Sequence, residues 1–124
     1  VVVCNKRIIA RAHNLTETLQ DPTAHAEMQA ITAAGTYLGG KYLDKCSLYV
    51  TLEPCTMCAG ALFWSRVGRL VYGTADKKRG YTLNNKRVLH NKTIVVQGIM
   101  ENECSSLLKD FFKMKRQDLP DEIK

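Results

Sequence analysis

The sequence lacks the long apolar run of about 20 residues that a membrane-spanning helix needs, and it shows no signal peptide. It has no internal repeat and no low-complexity segment. Its five cysteines are an odd number without framework spacing, so a disulfide scaffold is not expected. These absences favour a cytoplasmic protein with no membrane partner, in a reducing compartment where thiols stay free to bind metal.

What is present suits one domain. The 124 residues suffice for a single hydrophobic core, and we expect one domain over residues 1–124. Hydrophobic residues make up 45% and charged residues 24%, as in ordinary globular proteins. The chain opens on the apolar run 1–4, which reads as a buried strand. We therefore expect an earlier segment, a first helix, in the natural protein.

The net charge of +6 is unevenly distributed. Residues 77–92 contain no acidic residue and six basic ones: Lys77, Lys78, Arg79, Lys86, Arg87 and Lys92. The end of the chain adds Lys109, Lys113, Lys115 and Arg116. Such stretches can neutralise the phosphates of a nucleic acid. A solvated loop that only maintains solubility agrees equally well with the charge alone.

Apolar patterns and turn residues predict alternating strands and helices. Strands are predicted at 1–4, 7–12, 47–52, 69–74 and 93–97, with a hairpin turn at 5–6 and a loop over 14–23. Helices are predicted from 21–23 to 39–40, from 54 to 66 and at the end of the chain. The first of these should bury Ala24, Met28, Ile31 and Leu38. The last should bury one face formed by Cys104, Leu107, Leu108, Phe111 and Phe112. This order implies an α/β sandwich with a partly parallel sheet.

Two short motifs carry the chemistry: His25-Ala26-Glu27, and Cys55 and Cys58 behind Pro54. One imidazole and two thiolates make three zinc ligands. Catalytic zinc sites use three protein ligands and leave a fourth position for water, whereas structural sites use four. The pattern therefore predicts a hydrolytic site with one zinc ion.

The spacing explains how these residues meet. Cys55 and Cys58 are three residues apart, so a helix projects them from one face, and a helix N-terminus favours thiolates. His25 lies at the start of the earlier helix. Ligands in open α/β sheets gather at the carboxyl ends of the strands, where two helix starts can converge. Glu27 can then face the water without binding the metal.

Two other interpretations of the cysteines are open. A Cys-x-x-Cys pair is also typical of thioredoxin-like redox proteins, but here proline precedes the pair and His-x-Glu lies upstream. A closed structural zinc site would need a fourth ligand, and the candidates are Cys4, Cys46, Cys104, His13 and His90. We expect these five to be core thiols and loop histidines instead.

The His-x-Glu and Pro-Cys-x-x-Cys motifs together match the general signature of zinc-dependent nucleobase deaminases. Longer segments resemble the bacterial tRNA-specific adenosine deaminases in particular: 21–27, 51–61, 65–69 and 110–116. The resemblance extends over residues 1–116. It implies a cytidine deaminase-like fold, a three-layer α/β/α sandwich around a five-stranded mixed sheet, whose usual N-terminal helix this sequence lacks.

The resemblance also implies a function. These homodimeric enzymes convert adenosine to inosine at the wobble position of the tRNA anticodon loop, using zinc. Glu27 matches the proton-transferring carboxylate, Asn14 a residue that hydrogen-bonds the flipped base, Ala26 a substrate contact and Asp76 a position near the RNA backbone.

Three hypotheses follow. Deamination of tRNA adenosine is the first, with Glu27 moving protons between water, adenine and the leaving amine. Phe63-Trp64 departs from the tRNA-enzyme pattern and is more similar to bacterial guanine deaminase, so deamination of free guanine or of a nucleoside is the second. A non-catalytic RNA-binding or zinc-structural module is the third, and Glu27 argues against it.

Overall fold

The computed structural model describes residues 1–120, which form five strands and four helices. The strands are β1 (Val2–Cys4), β2 (Arg7–Ala10), β3 (Cys46–Leu52), β4 (Arg69–Thr74) and β5 (Ile94–Gln97). The helices are α1 (Thr16–Leu19), α2 (Ala26–Leu38), α3 (Thr56–Ser65) and α4 (Glu101–Gln117), with a 3₁₀ turn at Tyr81–Leu83. Within this range every helix is too short or too polar to cross a membrane.

The strands form one mixed sheet in the order β2-β1-β3-β4-β5. β1 is antiparallel to β2 and β3, whereas β4 is parallel to β3 and β5. The predicted hairpin turn is present: Asn5 and Lys6 have φ values of 50° and 63°, as a two-residue turn between twisted strands requires. The predicted five-stranded mixed sheet is thus confirmed.

Helices cover both faces of the sheet. On one face, α2 and α3 pack against each other and share a core with the central strands. That core includes Ala30, Ala34, Ala59, Leu62, Leu48, Leu70 and Tyr72. On the other face, α4 lies across β4 and β3. The result is the predicted three-layer α/β/α arrangement.

Helix α2 begins later than predicted, and its buried face differs. Asp21 does not cap the helix, because its Oδ1 accepts hydrogen bonds from the N–H and hydroxyl of Thr23 at 2.8 and 2.7 Å. The chain turns there, and His25 becomes the N-cap. Ala24 is buried as predicted, just before the helix, and Ile31 packs against the core. The fully buried residues of the helix itself are Ala30 and Ala34. The predicted burial of Leu38 is wrong, since 41% of this residue is exposed.

The predicted apolar face of α4 exists but is only partly covered. Cys104 and Leu108 are half-buried, whereas Leu107, Phe111 and Phe112 are 61, 45 and 50% exposed. A helix on this side of the sheet meets β4 near its own N-terminal half, so its later turns extend into solvent. The periodicity predicted the helix correctly but not its burial.

The contact between α4 and the sheet is tight at Gly73 in β4. A Cβ there would overlap Cys104 Sγ and would lie 2.9 Å from the carbonyl oxygen of Thr51. Because interiors tolerate little overpacking, Gly73→Ala should lower the free energy of unfolding by roughly 1–3 kcal/mol, measured by urea denaturation. Gly40→Ala, at a site with no atom within 4 Å, is the matched control. An equal loss in both variants would contradict this packing.

Candidate metal centre and active site

Two helix starts converge on one point at the site. His25 is the N-cap of α2 and Cys55 is the N-cap of α3, and both have extended backbone angles. Neither side chain hydrogen-bonds its own helix as a cap. Both side chains are therefore free for another partner, while Cys58 lies on the first turn of α3, fully buried.

The distances fit a zinc ion. His25 Nδ1 lies 3.6 Å from both Cys55 Sγ and Cys58 Sγ, and all three ligand atoms lie within 4.8 Å of one another. Tetrahedral zinc with ordinary Zn–N and Zn–S bond lengths places nitrogen and sulfur about 3.6 Å apart. The donor set and its spacing therefore match one zinc ion, as predicted from the motifs.

No fourth protein ligand joins this group within residues 1–120. Cys4 and Cys46 lie opposite each other on β1 and β3 in the core, where burial raises the pKa of Cys46 to about 12. His90 instead accepts a hydrogen bond from the N–H of Lys92. The arrangement is that of a three-ligand site, which is the catalytic type.

The electrostatics of the buried thiol favour a cation. Burial raises the pKa of Cys58 well above its ordinary value, and the charges of Glu27 and Cys55 raise it further. Two thiolates and a carboxylate in one low-dielectric place repel one another. A divalent cation would favour the thiolate form of Cys58 instead of the neutral thiol, since coordination deprotonates a thiol.

A cleft of about 550 Å³ is lined by Ala26 and Glu27, which directly follow the ligand His25 in sequence, and extends to Met100 and Cys104. Its volume is in the usual range of ligand pockets, which is roughly 300–1,000 Å³. Asn14, Ala26 and Glu27 all line it. Glu27 connects the cleft to the metal group, because its carboxylate also acts on Cys58. It is not one of the three clustered ligands.

The side chain of Asn14 is held in one orientation. Its Oδ1 accepts hydrogen bonds from the backbone N–H and the hydroxyl of Thr16, at 3.0 and 2.7 Å. Asn14 lines the cleft, and its side-chain amide group can donate hydrogen bonds. The sequence predicted a loop here, whereas the structure has the short helix α1 directly after it. The base contact of Asn14 stays a prediction, as does the substrate contact of Ala26.

Asp76 lies in a different place, in the loop after β4, and does not line the cleft. Its Oδ1 accepts hydrogen bonds from the N–H groups of Lys78 and Arg79, both at 3.0 Å. The carboxylate thus shapes the turn that carries these two cations. Its predicted position near RNA stays a prediction.

All six cations of the basic stretch are exposed: Lys77, Lys78, Arg79, Lys86, Arg87 and Lys92. Arg87 is also tied to its own loop, because its guanidinium donates hydrogen bonds to the carbonyl oxygens of Leu89, His90 and Thr93. The stretch is therefore available to a polyanion, and Arg87 in addition organises the loop.

Sequence reasoning missed Glu53, the residue before Pro54. Only 2% of it is exposed, and its carboxylate accepts hydrogen bonds from Asp76 and Thr82. The available signal was an acidic residue directly after a buried strand and two residues before a metal ligand.

Comparison with known proteins shows the family of this chain. The chain matches the MafB19-like deaminase family over residues 1–116. It belongs to this deaminase family. The deaminase is 47% identical over 123 residues to the tRNA-specific adenosine deaminase of Bacillus subtilis, and the match covers 94% of this chain and 76% of that protein. This likeness confirms the predicted resemblance to the tRNA-specific branch.

Solved structures agree. A chain from work on A-to-I editing by tRNA:A34 deaminases at the wobble position of transfer RNA superposes on this deaminase with a TM-score of 0.78 and 41% identity, covering 86% of this chain and 81% of that one. The guanine deaminase of Bacillus subtilis gives a TM-score of 0.62 and 30% identity, covering 91% and 77%. The predicted cytidine deaminase-like fold is confirmed.

Proposed function

We propose that this deaminase converts adenosine to inosine at the wobble position of a tRNA anticodon loop, within one domain and in the cytoplasm. The observation that carries the proposal is the position of Glu27. Glu27 lines the cleft, and its carboxylate acts on Cys58 without being one of the three clustered ligands. The 47% identity to a tRNA-specific adenosine deaminase supports the choice of substrate.

His25, Cys55 and Cys58 hold one zinc ion per chain in this proposal. When bound, zinc acts as a Lewis acid that makes water acidic enough to lose a proton near neutral pH. The thiolates at the start of α3 are favoured by the positive end of the helix dipole.

Glu27 moves the protons. It takes one from the attacking water and delivers it to adenine N1 while the water oxygen bonds to C6. It then transfers the second proton of that water, from the new C6 hydroxyl, to the C6 amine. The C6–N bond breaks, ammonia departs, and a carbonyl remains at C6. Asn14 donates its amide hydrogen to the base, Ala26 packs against it, and Asp76 lies near the RNA backbone. An anticodon loop presents an unstacked base at low cost.

Guanine is the alternative substrate, and the departure at Phe63-Trp64 motivated it. Both residues lie at the end of α3, 37 and 77% exposed, and neither lines the cleft. Their identity therefore does not select the base directly.

The test is a substrate comparison. The purified zinc protein receives an anticodon stem-loop with a wobble adenosine, or free guanine, adenosine or cytidine, and inosine and ammonia are measured. Turnover of the stem-loop alone is expected. Turnover of guanine alone would refute the proposed substrate while preserving the zinc chemistry.

The exposed cations beside the site should contribute to RNA affinity. Replacing Lys77 and Lys78 with alanine should raise the KM for the stem-loop roughly tenfold, because two contacts with phosphates are lost. Each lost contact should also make the salt dependence shallower by about 1. Steady-state kinetics between low and moderate salt measure both effects. The control replaces Lys41 and Lys45 with alanine, which removes the same two positive charges at exposed positions before β3, at the end of that strand away from Cys55. A similar change of salt slope in the control would contradict a specific role of Lys77 and Lys78.

We propose that the outer surface of α2 and α3 forms a homodimer. The segments 28–40 and 54–65 contain no charged residue, and the two helices pack side by side. Their outward side chains include Tyr37 and Trp64, which are 60 and 77% exposed. In a two-fold interface a surface patch contacts the same patch of the second copy, so like charges on it would face each other. An uncharged patch with aromatic side chains is therefore suited to such an interface.

Trp64→Glu should therefore give monomers in sedimentation equilibrium at concentrations where the parent chain is dimeric. Leu107→Glu on α4, a similarly exposed apolar position, should not. Monomers from the Leu107 variant alone would place the interface on α4 and overturn this assignment.

A further inference from the structure

Glu53 is a buried carboxylate that the proposed chemistry does not use. Its Oε1 accepts a hydrogen bond from the N–H of Asp76 at 3.2 Å. Its Oε2 accepts two from Thr82, at 3.0 Å from the N–H and 2.8 Å from the hydroxyl. A carboxyl group at 2% exposure needs hydrogen-bond partners in place of water, and here both oxygens have them. One carboxylate thus holds both ends of the segment 76–82.

This segment is closed around the carboxylate. Gly80 packs so closely that a Cβ would overlap Glu53 Oε2, and its N–H donates to the carbonyl oxygen of Asp76 at 3.0 Å. Only a residue without a side chain fits there. The loop is therefore shaped by Glu53 and not merely attached to it.

The same loop is joined to the start of α3. Gly80 forms an isolated antiparallel bridge with Cys55, and the N–H of Tyr81 donates to the carbonyl oxygen of Pro54 at 3.0 Å. The tip of the loop carries Lys77, Lys78 and Arg79, all exposed. These cations therefore stand one short turn away from a metal ligand.

We propose that Glu53 is a positioning residue for the RNA substrate: it fixes the loop 76–82 against the metal-binding start of α3 and so presents its three cations to the phosphates beside the target base. This inference rests on the proposed tRNA function. Glu53 touches neither substrate nor metal in this role, and acts through the loop.

The sign of the expected effect is diagnostic. Glu53→Gln replaces an acidic side chain with a neutral one, and by simple electrostatics that change would not weaken binding to a polyanion. Loss of positioning would weaken it. The glutamine NH₂ would face an N–H donor of the loop, so the loop loosens and its cations lose their fixed places.

The experiment uses the zinc-loaded protein and an anticodon stem-loop. For Glu53→Gln we expect a KM roughly tenfold higher, a kcat within about threefold of the parent, and a salt dependence shallower by about 1–2. Zinc content should remain one per chain. Glu103→Gln, the same change at an exposed position of α4, should leave KM unchanged or lower.

Amide hydrogen exchange supplies a readout that needs no catalysis. Exchange at Asp76 and Thr82, whose N–H groups donate to Glu53, should accelerate at least roughly tenfold in Glu53→Gln. Gly80→Ala should raise KM in the same direction. Thr82→Val, which removes only the hydroxyl donor, should give a smaller rise. These two variants decide the matter if Glu53→Gln does not fold.

If Glu53→Gln had accelerated exchange but an unchanged KM, the positioning role would be overturned. A fall in kcat at constant KM would also overturn it, because that result would place Glu53 in the chemistry. If the parent chain makes no inosine from any stem-loop, the proposed function fails instead. The exchange rates at 76 and 82 would then still show whether Glu53 holds the loop.

Discussion

Replacing Glu27 with glutamine or alanine is expected to reduce inosine formation by roughly 10²–10⁴ in kcat while leaving one zinc ion per chain. The reason is positional. Glu27 lines the cleft and lies beside Cys58, but it is not a member of the clustered ligands. Its removal should therefore take away the group that we propose moves the protons, and leave the ligands of the metal in place.

The measurement is single-turnover conversion of a stem-loop, together with zinc content by atomic absorption. The KM should change little in the glutamine variant, since its shape is preserved. Glu103→Gln, an exposed residue on α4, controls for the loss of one negative charge. Near-parent turnover in Glu27→Gln, or loss of zinc in parallel with activity, would refute the assigned role.

The metal ligands could be predicted from sequence because the relevant information is local. Cys55 and Cys58 are three residues apart, and Pro54 marks a helix start, so their common face follows from helical geometry alone. His25 needed one further inference, that helix starts meet at the carboxyl ends of the strands. The distances of 3.6 Å to both sulfurs agree with that inference.

The start of α2 could not be placed from local signals. Asp21 and Thr23 are both good N-cap residues, but they satisfy each other in a turn. The same side chains could cap a helix or close a turn, and the local sequence does not decide between the two. In the structure they close a turn, and His25 is the N-cap. The later start does not change which residues share a helix face. Ile31 packs against the core with Ala30 and Ala34, whereas Leu38 in the last turn is exposed.

Glu53 could not be recognised from sequence because its partners are distant along the chain. Its donors lie at Asp76 and Thr82, more than 20 residues away, and nothing in the intervening pattern connects them. The exposed apolar residues of α4 have a similar explanation. Periodicity reports a helix face, whereas burial depends on what the tertiary structure sets against it.

Removal of zinc by a chelator is expected to abolish activity and to lower Tm by more than roughly 10 °C. The ligands come from two helices about 30 residues apart in sequence, so the unfolded chain holds no preformed site. Metal binding therefore adds to the folding free energy, by about 4 kcal/mol when free zinc is a thousandfold above its Kd.

The chain without zinc should nevertheless remain folded. Burial, with the nearby charges of Glu27 and Cys55, raises the pKa of Cys58, so this sulfur is then a neutral thiol beside Ala59 and not an uncompensated buried charge. Differential scanning calorimetry with and without chelator measures the shift, and zinc addition should restore it. Cys58→Ala should lack the chelator-dependent shift, whereas Cys46→Ala, a core cysteine outside the ligand group, should lower Tm but keep it. If Cys58→Ala kept the full chelator-dependent shift in Tm, the metal would have to bind elsewhere. The assignment of hydrolysis to this end of the sheet would then lose its basis.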